Sequence, residues 1–497
     1  MKNRKNGSSY GHILKYTGVF GGVQALGILV SMARNKLVAL LLGPGGMGLL
    51  SIFSTSVRLV SDTTGMGLSA TATRETSEVY GTEDMARVCH RLQVVRSWSM
   101  LTAVLGFIVC VLLSPLLNSW SFNGGDYTLS FALLAPVVAM TAITTGELAV
   151  LKGFHQLNQL ARISVYGVFA ALVISIPLYY IWREDAIVPS LVLVALAQMT
   201  ITMRVSVRLY PYRISFGREV LSSGTGMLRL GVSFMLAGLV GSGAEFAIRS
   251  FMNTQGNLET VGLYNVAYTI AMVYASMVFS AMETDYFPRL SAIEEVGAKL
   301  YGTVTRQMEI MLLLVAPLLS ALILLAPLLL PLLFTSRFLP AIGALRLLLL
   351  AMYFRALTLP LEYINLARGN SKGYLMLEII FDAMMLIGVT LGFHLGGLLG
   401  TGIAWLAISV LGFLSVWIYV TVIYRYHMPF ATMRLITSQI APGCLLCLAT
   451  MFLEGWGYWL VGSVLVLASV MVSLYVLRRR MRGEQVFRFL TRRRRHG

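Results

Sequence analysis

Charge is scarce in this chain. Of 497 residues only 12% are Asp, Glu, Lys or Arg, 57% are hydrophobic, and mean hydropathy is +0.75. Ordinary soluble domains carry roughly 25% charged residues, so the composition excludes one. Cysteine is scarcer still, with Cys89, Cys110, Cys444 and Cys447 alone. Cys444 and Cys447 form a C-x-x-C inside an apolar run with no second ligand pair nearby. A structural zinc site needs four ligands, so the two read as small packing residues. The six histidines are scattered, with no HExxH and no Ser/His/Asp constellation, and no GxxxxGK[ST] phosphate loop occurs. No cofactor and no metal are expected. The longest outer loop, between Leu117 and Thr128, is too short for a catalytic domain, so an enzyme is not expected either.

Long apolar runs fill the chain instead. A stretch of about 18 residues crosses the hydrocarbon of a bilayer, and fourteen candidates are long enough: 13–42, 47–70, 97–117, 128–151, 163–182, 186–206, 229–252, 262–288, 308–334, 341–366, 373–394, 398–424, 435–453 and 457–477. The expected fold is an all-α polytopic membrane protein of about 14 transmembrane helices. Nothing at the N-terminus resembles a cleaved signal peptide.

Lysine and arginine set the orientation, because cytoplasmic loops keep the excess of them. With the N-terminus inside, cytoplasmic segments hold 31 of the 39 basic residues and the opposite loops hold only Arg183 and Arg337. Both termini are therefore expected in the cytoplasm. The net charge of +17 sits in short loops at membrane ends and in the tail Arg478–Arg495, where it suits anionic inner-leaflet lipid. Nucleic acid, which needs a basic stripe on a soluble face, is excluded as a partner. Glu75–Arg96 reads as a short interfacial helix, and Arg204–Arg229 as the connection between two halves.

The six remaining cations lie inside the apolar spans, and two recur in matching places. Arg34-NKLVALLLGPGGM-Gly48 and Arg249-SFMNTQGNLETV-Gly262 each place an arginine in an apolar segment, then a glycine loop, then another apolar segment. A charge near the bilayer centre costs about 2.5–3.5 kcal/mol on insertion scales, so such residues face a cavity or a partner. Two copies imply a duplicated transporter with a cationic interior that moves something anionic. Arg34 has no acidic residue within four positions and is the first candidate for an anion ligand, joined by Arg58, Arg249 and Arg355. Asp62 follows Arg58 by four residues and Glu245 precedes Arg249 by four, so each pair reads either as a structural bridge or as a gate that opens when substrate arrives. Arg346 and Arg355 share one span, with Glu362 on the face of Arg355. Glu378 and Asp382, one turn apart, read as carriers of a coupling proton or Na⁺, or as partners of Arg355. Glu147 is a further coupling candidate, and Glu283 and Asp285 read as partners of Arg289.

Several of these segments resemble a known family. Arg34-NKLVALLLGPGGMGLLSIF is similar to the first-span signature of Wzx-type polysaccharide flippases, and Thr64-GMGLSATATRE to their second-span exit. Ala281-METDYFPRLS resembles their eighth-span ending. Leu325-APLLLPLLFTSRFLPA and Leu345-RLLLLAMYFRAL resemble their ninth-span end and tenth span. The resemblance covers about residues 10–425, and the second glycine loop has degenerated to Gln255-GNLETVG. It implies the multidrug/oligosaccharidyl-lipid/polysaccharide exporter superfamily, with two six-helix lobes around a central cavity, 1–215 and 216–428, and 429–497 adding two helices and a basic tail. The implied substrate is a polyprenyl-diphosphate-linked glycan, with arginine forks on its diphosphate and an ion gradient as energy source. Membrane lipid, the polysaccharide polymerase and the chain-length machinery are the implied partners. A lipid II flippase, a multidrug/cation antiporter and a non-transporting scaffold of a glycan-assembly complex stay open as alternatives.

Overall fold

The computed structural model describes residues 6–80, 84–293 and 295–493. Its fifteen α-helices, in order, are α1 Asn6–Thr64, α2 Leu68–Glu78, α3 Met85–Ser121, α4 Thr128–Ala132, α5 Ala135–Gly153, α6 Leu157–Trp182, α7 Ile187–Leu209, α8 Arg218–Ser223, α9 Thr225–Gln255, α10 Leu258–Ser291, α11 Ala298–Leu333, α12 Ile342–Ala367, α13 Ser371–Tyr424, α14 Phe430–Phe452 and α15 Gly455–Arg493. The described residues contain no strand. In lipid every backbone N–H and C=O needs a partner within the protein, and a helix supplies one for each. Ten helical segments of the described residues are long and apolar enough to cross a bilayer.

Two of those segments, of 53 and 54 residues, and the whole of α1, with 59, are too long to cross once. α13 has 54 residues, about 81 Å at helical rise, against a hydrocarbon core of about 30 Å. It breaks at Gly396 and Gly397, whose backbones leave helical geometry, and the two legs fold back on each other. Gly392 packs on Gly400, Gly388 on Ile408, and Gly373 on Tyr419, so each step up one leg is matched by a step down the other. α6 and α7 make a second hairpin through a 3-10 turn at Arg183–Ala186, with Gly167 against Gln198. α1 divides at Gly43, where φ is +66° immediately before Pro44. A residue before proline is driven out of the helical region, and glycine alone takes a positive φ without strain.

Two corrections to the sequence reading follow from capping. The segment Glu75–Arg96 is not one interfacial helix. α2 ends at Glu78, and α3 begins at Met85 because the Asp84 carboxylate accepts hydrogen bonds from the Ala86 and Arg87 amides, a cap that starts the helix well ahead of the apolar run. Arg96, counted above with the basic loops, is consequently inside a helix and buried. Glu283, Asp285, Met1–Lys5 and the end of the basic tail lie outside the described residues and side chains.

The chain forms two compact units, residues 1–262 with 333–335, and residues 263–332 with 336–497. In the first, Leu68, Ala72, Leu92, Val95, Ala149, Val150 and Met227 bury together as one core joining α2, α3, α5 and α9. In the second, α14 and α15 are tied to the rest by polar contacts. Thr432 donates to buried Glu309 at 2.7 Å, and Arg346 donates to Tyr458 at 3.0 Å with its guanidinium over the ring. The in-span cation Arg346 is thus engaged by α15. Between α14 and α15, Gln439 bonds Ser469 and Ser473, polar contacts of the kind that join helices in lipid.

Candidate functional site

In the first unit the second leg of α1 runs antiparallel to α9, and small residues let the backbones touch at both ends. A Cβ added at Gly48 would lie 2.0 Å from the Leu258 carbonyl oxygen, and one added at Gly262 would lie 1.9 Å from that of Pro44. The glycines of the two arginine–glycine segments therefore pack reciprocally, each on the residue four before the other. At the opposite end Gly67 and Gly231 do the same, a Cβ at Gly67 lying 2.3 Å from the Gly231 oxygen and one at Gly231 lying 2.0 Å from that of Met66. Between these ends Gly238 and Gly243 of α9 face Asp62 and Leu59.

The charged residues sit along this seam. Arg58 Nη1 donates to Glu245 at 3.2 Å across the two helices and lies 3.7 Å from Asp62 on its own helix. Arg249 pairs with Glu245 at 3.6 Å, donates from Nε to Ser51 at 2.9 Å and from Nη1 to the Glu245 carbonyl at 3.0 Å. Sequence reasoning paired each arginine with the carboxylate one turn away. The structure links both pairs through Glu245 into one group of four. Among the described contacts two arginines face two carboxylates, so the formal charges of these four residues cancel.

Burial separates the two arginines. The Arg249 side chain is 4% exposed, while that of Arg58 is 60% exposed. The helix around Arg58 is otherwise well packed, with Ser56, Val60 and Thr64 buried. A charged group of this kind does not face hydrocarbon, so its open side belongs to water or to a polar ligand. An exposed ion pair contributes at most about 1 kcal/mol, and Arg58 can leave Glu245 at little cost.

The other candidates lie apart from this group. Arg34, on the first leg of α1, donates from Nε to Ser175 of α6 at 3.2 Å, beside fully buried Tyr179. In the second unit Arg355 donates to Glu362 at 3.1 Å, with the Phe381 ring 5.7 Å from its guanidinium and Glu378 within electrostatic range of both. Glu378 and Asp382 are half-buried one turn apart on α13.

Glu147 has a partner that sequence reasoning missed. Arg96 grips it with two hydrogen bonds, Nε to Oε1 at 2.8 Å and Nη2 to Oε2 at 3.1 Å, with the two side chains 1% and 2% exposed. Ser206 of α7 donates to the same carboxylate at 2.5 Å. Arg96 also donates to the Pro211 carbonyl and lies 4.8 Å from the centre of the Tyr212 ring. Ser97 next to it accepts from the Ser215 amide at 3.1 Å, so the connection after α7 is clamped onto α3. The only hint in the sequence was a carboxylate inside an apolar span with no cation one turn away.

Comparison with known proteins fits this architecture. The sequence model of a family described as polysaccharide biosynthesis protein matches residues 37–343. No curated protein sequence matches the chain. Among solved structures, one of the lipid II flippase MurJ in an inward closed conformation superposes with a TM-score of 0.70, covering 94% of this chain and 99% of that one at 13% identity. An inward-facing multidrug resistance transporter of the MATE family, in the MOP superfamily, gives a TM-score of 0.61 over 81% of this chain and 96% of that one at 17% identity. At these identities the likeness is one of fold.

Proposed function

The chain belongs to the polysaccharide biosynthesis protein family and has the fold of MOP-superfamily transporters, and from that premise we propose that it is a flippase for polyprenyl-diphosphate-linked oligosaccharide repeat units. In this reading it carries them from the inner to the outer leaflet of the bacterial cytoplasmic membrane for surface polysaccharide synthesis. It has fourteen crossings in two six-helix lobes, 1–215 and 216–428, two further helices and cytoplasmic termini. It works without enzymatic chemistry and hands its product to the polymerase and chain-length machinery. The observation that carries the reading is Arg58, an exposed guanidinium in the middle of an apolar leg, whose partners among the described residues are the carboxylates of Asp62 and Glu245.

A diphosphate is what such a group accepts. Burying its charge unpaired costs many kcal/mol, whereas a guanidinium offers it paired N–H donors in place of water. On this reading Asp62 and Glu245 occupy the place of the phosphates while the site is empty, and Arg58 exchanges one anion for the other. Arg249 supports this group from its buried side, and Arg34 and Arg355 are proposed as further ligands for the diphosphate. A charge-assisted hydrogen bond contributes about 1.5–3 kcal/mol, so Arg58→Ala is expected to weaken the substrate roughly ten- to a hundredfold. The check is flipping of a fluorescent polyprenyl-diphosphate sugar by the reconstituted protein. Arg58→Lys should recover part of the loss, since lysine keeps the charge and loses the fork. Wild-type rates in Arg58→Ala would remove Arg58 from the path.

Glu378 and Asp382 are proposed to carry the coupling ion. Neutralising both, Glu378→Gln with Asp382→Asn, should leave flipping at the same rate with and without an imposed pH or Na⁺ gradient, while wild type responds to one of them. A double variant that still responds moves the coupling site elsewhere.

A further inference from the structure

A groove of about 580 Å³ opens in the first unit where α3 ends and α9 passes into α10. Asn123, Asn253, Thr254, Asn257, Leu258 and Glu259 line it, and no lysine or arginine is among its lining residues. Three asparagines are held there, each by one half of its amide. Asn123 Nδ2 donates to the Thr254 carbonyl at 3.1 Å, and Asn253 Nδ2 donates to the Ser121 carbonyl at 2.7 Å. Asn257 Oδ1 accepts from the amide and the hydroxyl of Thr260, at 2.8 and 2.9 Å. Among the described residues no hydrogen bond ends on the other halves, the Oδ1 atoms of Asn123 and Asn253 and the Nδ2 of Asn257.

Fixed amides that present two acceptors and one donor, beside the Glu259 carboxylate, match hydroxyl groups, which donate and accept at once. With no cation, the same set does not suit a phosphate. The position along the chain adds to this. Asn253 stands one turn beyond Arg249 on α9, about 6 Å along the axis, and the chain turns at Gly256 to bring Asn257 alongside. Charge recognition and hydroxyl recognition thus lie next to each other, in the order that a diphosphate and its attached sugars would require.

We propose that this groove is a binding site for neutral sugar units of the carried glycan; the proposal rests on the flippase reading. Leu258 lines the groove while its carbonyl lies against Gly48, so the groove adjoins the contact between the two glycine segments. The glycan reaches it when that contact parts, and the site holds the sugars as they leave.

The test uses the full-length protein in lipid nanodiscs and two ligands: polyprenyl diphosphate carrying a trisaccharide of N-acetylhexosamines, and the same polyprenyl diphosphate without sugar. Wild type should bind the sugar-bearing lipid more tightly. Asn123→Ala with Asn257→Ala should remove about tenfold of that affinity, the effect of two neutral hydrogen bonds, and leave the bare lipid unchanged. Asn123→Trp, which fills the groove and keeps the Asn257 contacts, should do the same, while Arg58→Ala weakens both lipids. Equal wild-type affinity for the two lipids, unchanged affinities in the groove variants, or a loss shared by both lipids overturns the sugar site and leaves the flippase reading standing. Binding of neither lipid to wild type overturns that reading and the sugar site with it.

Discussion

Replacing Glu147 with glutamine is expected to remove most of the folded protein from the membrane. Arg96 and Glu147 are almost wholly buried, 1% and 2% exposed, and share two hydrogen bonds. Water cannot screen such a pair, and removing one partner leaves the other charge uncompensated, at a cost of about 3–5 kcal/mol. Whole-domain stabilities are only about 5–15 kcal/mol, so the loss takes a large share. Arg96→Ala should be at least as severe, because Arg96 also holds Pro211, and through it the connection after α7. Protein abundance and thermal unfolding in detergent measure the effect. Exchanging both residues together, Arg96→Met with Glu147→Met, should recover much of it, since a buried pair replaced by apolar groups of similar size is often neutral.

The same measurement decides the role of Glu147. A coupling carboxylate alternates between protonated and charged, so its glutamine variant folds and only loses its response to the gradient. A carboxylate that neutralises Arg96 gives a variant that does not accumulate. Normal abundance of Glu147→Gln with lost coupling would return Glu147 to the ion path proposed for Glu378 and Asp382.

The contrast between Arg96 and Arg58 shows where sequence reading succeeds. Apolar length is a property of single segments, so the crossing helices are legible from composition, and the two arginine–glycine segments singled out in the sequence meet at one contact. Glycines that permit a fold-back, such as Gly396 and Gly397, stand between runs that each suffice to cross. Side-chain partners are another matter. Arg58 and Asp62 lie one turn apart, so local spacing suggests their pairing, and the pair is present at 3.7 Å. The closer partner, Glu245, is 187 residues away, and no local pattern marks it. Arg96 was hidden for a different reason: it ends a polar stretch, and only the Asp84 cap, which starts α3 early, carries it into the interior. Ser51 and Ser175, which receive Arg249 and Arg34, look like any small residue of a membrane helix.

Valine at Gly262 is expected to abolish transport without unfolding the protein. In this structure the Gly262 backbone touches Pro44, and a Cβ there would stand 1.9 Å from the Pro44 carbonyl oxygen, a distance no real contact reaches. The clash is with backbone, so no side chain can rotate away, and the contact between α1 and α10 cannot form. Gly48→Val should act identically, because its Cβ would meet Leu258 at 2.0 Å; the two sites are the reciprocal halves of one contact. A carrier that alternates between states needs each closure, and a state made inaccessible shifts the population wholly to its alternative. Flipping should then fall to the background of protein-free liposomes while abundance stays near wild type. Ser51→Cys supplies the structural readout, since Ser51 is buried one turn inside this contact. A membrane-impermeant thiol reagent added outside should label it in the Gly262→Val background and spare it when Gly262 is intact. Equal labelling in both backgrounds, or transport at the wild-type rate, would show that the glycine contact is not a closure. Gly262→Ala separates sterics from chain flexibility. It adds the clashing Cβ and little else, so it should impair transport nearly as much as valine does, whereas a requirement for flexibility alone would leave alanine well tolerated.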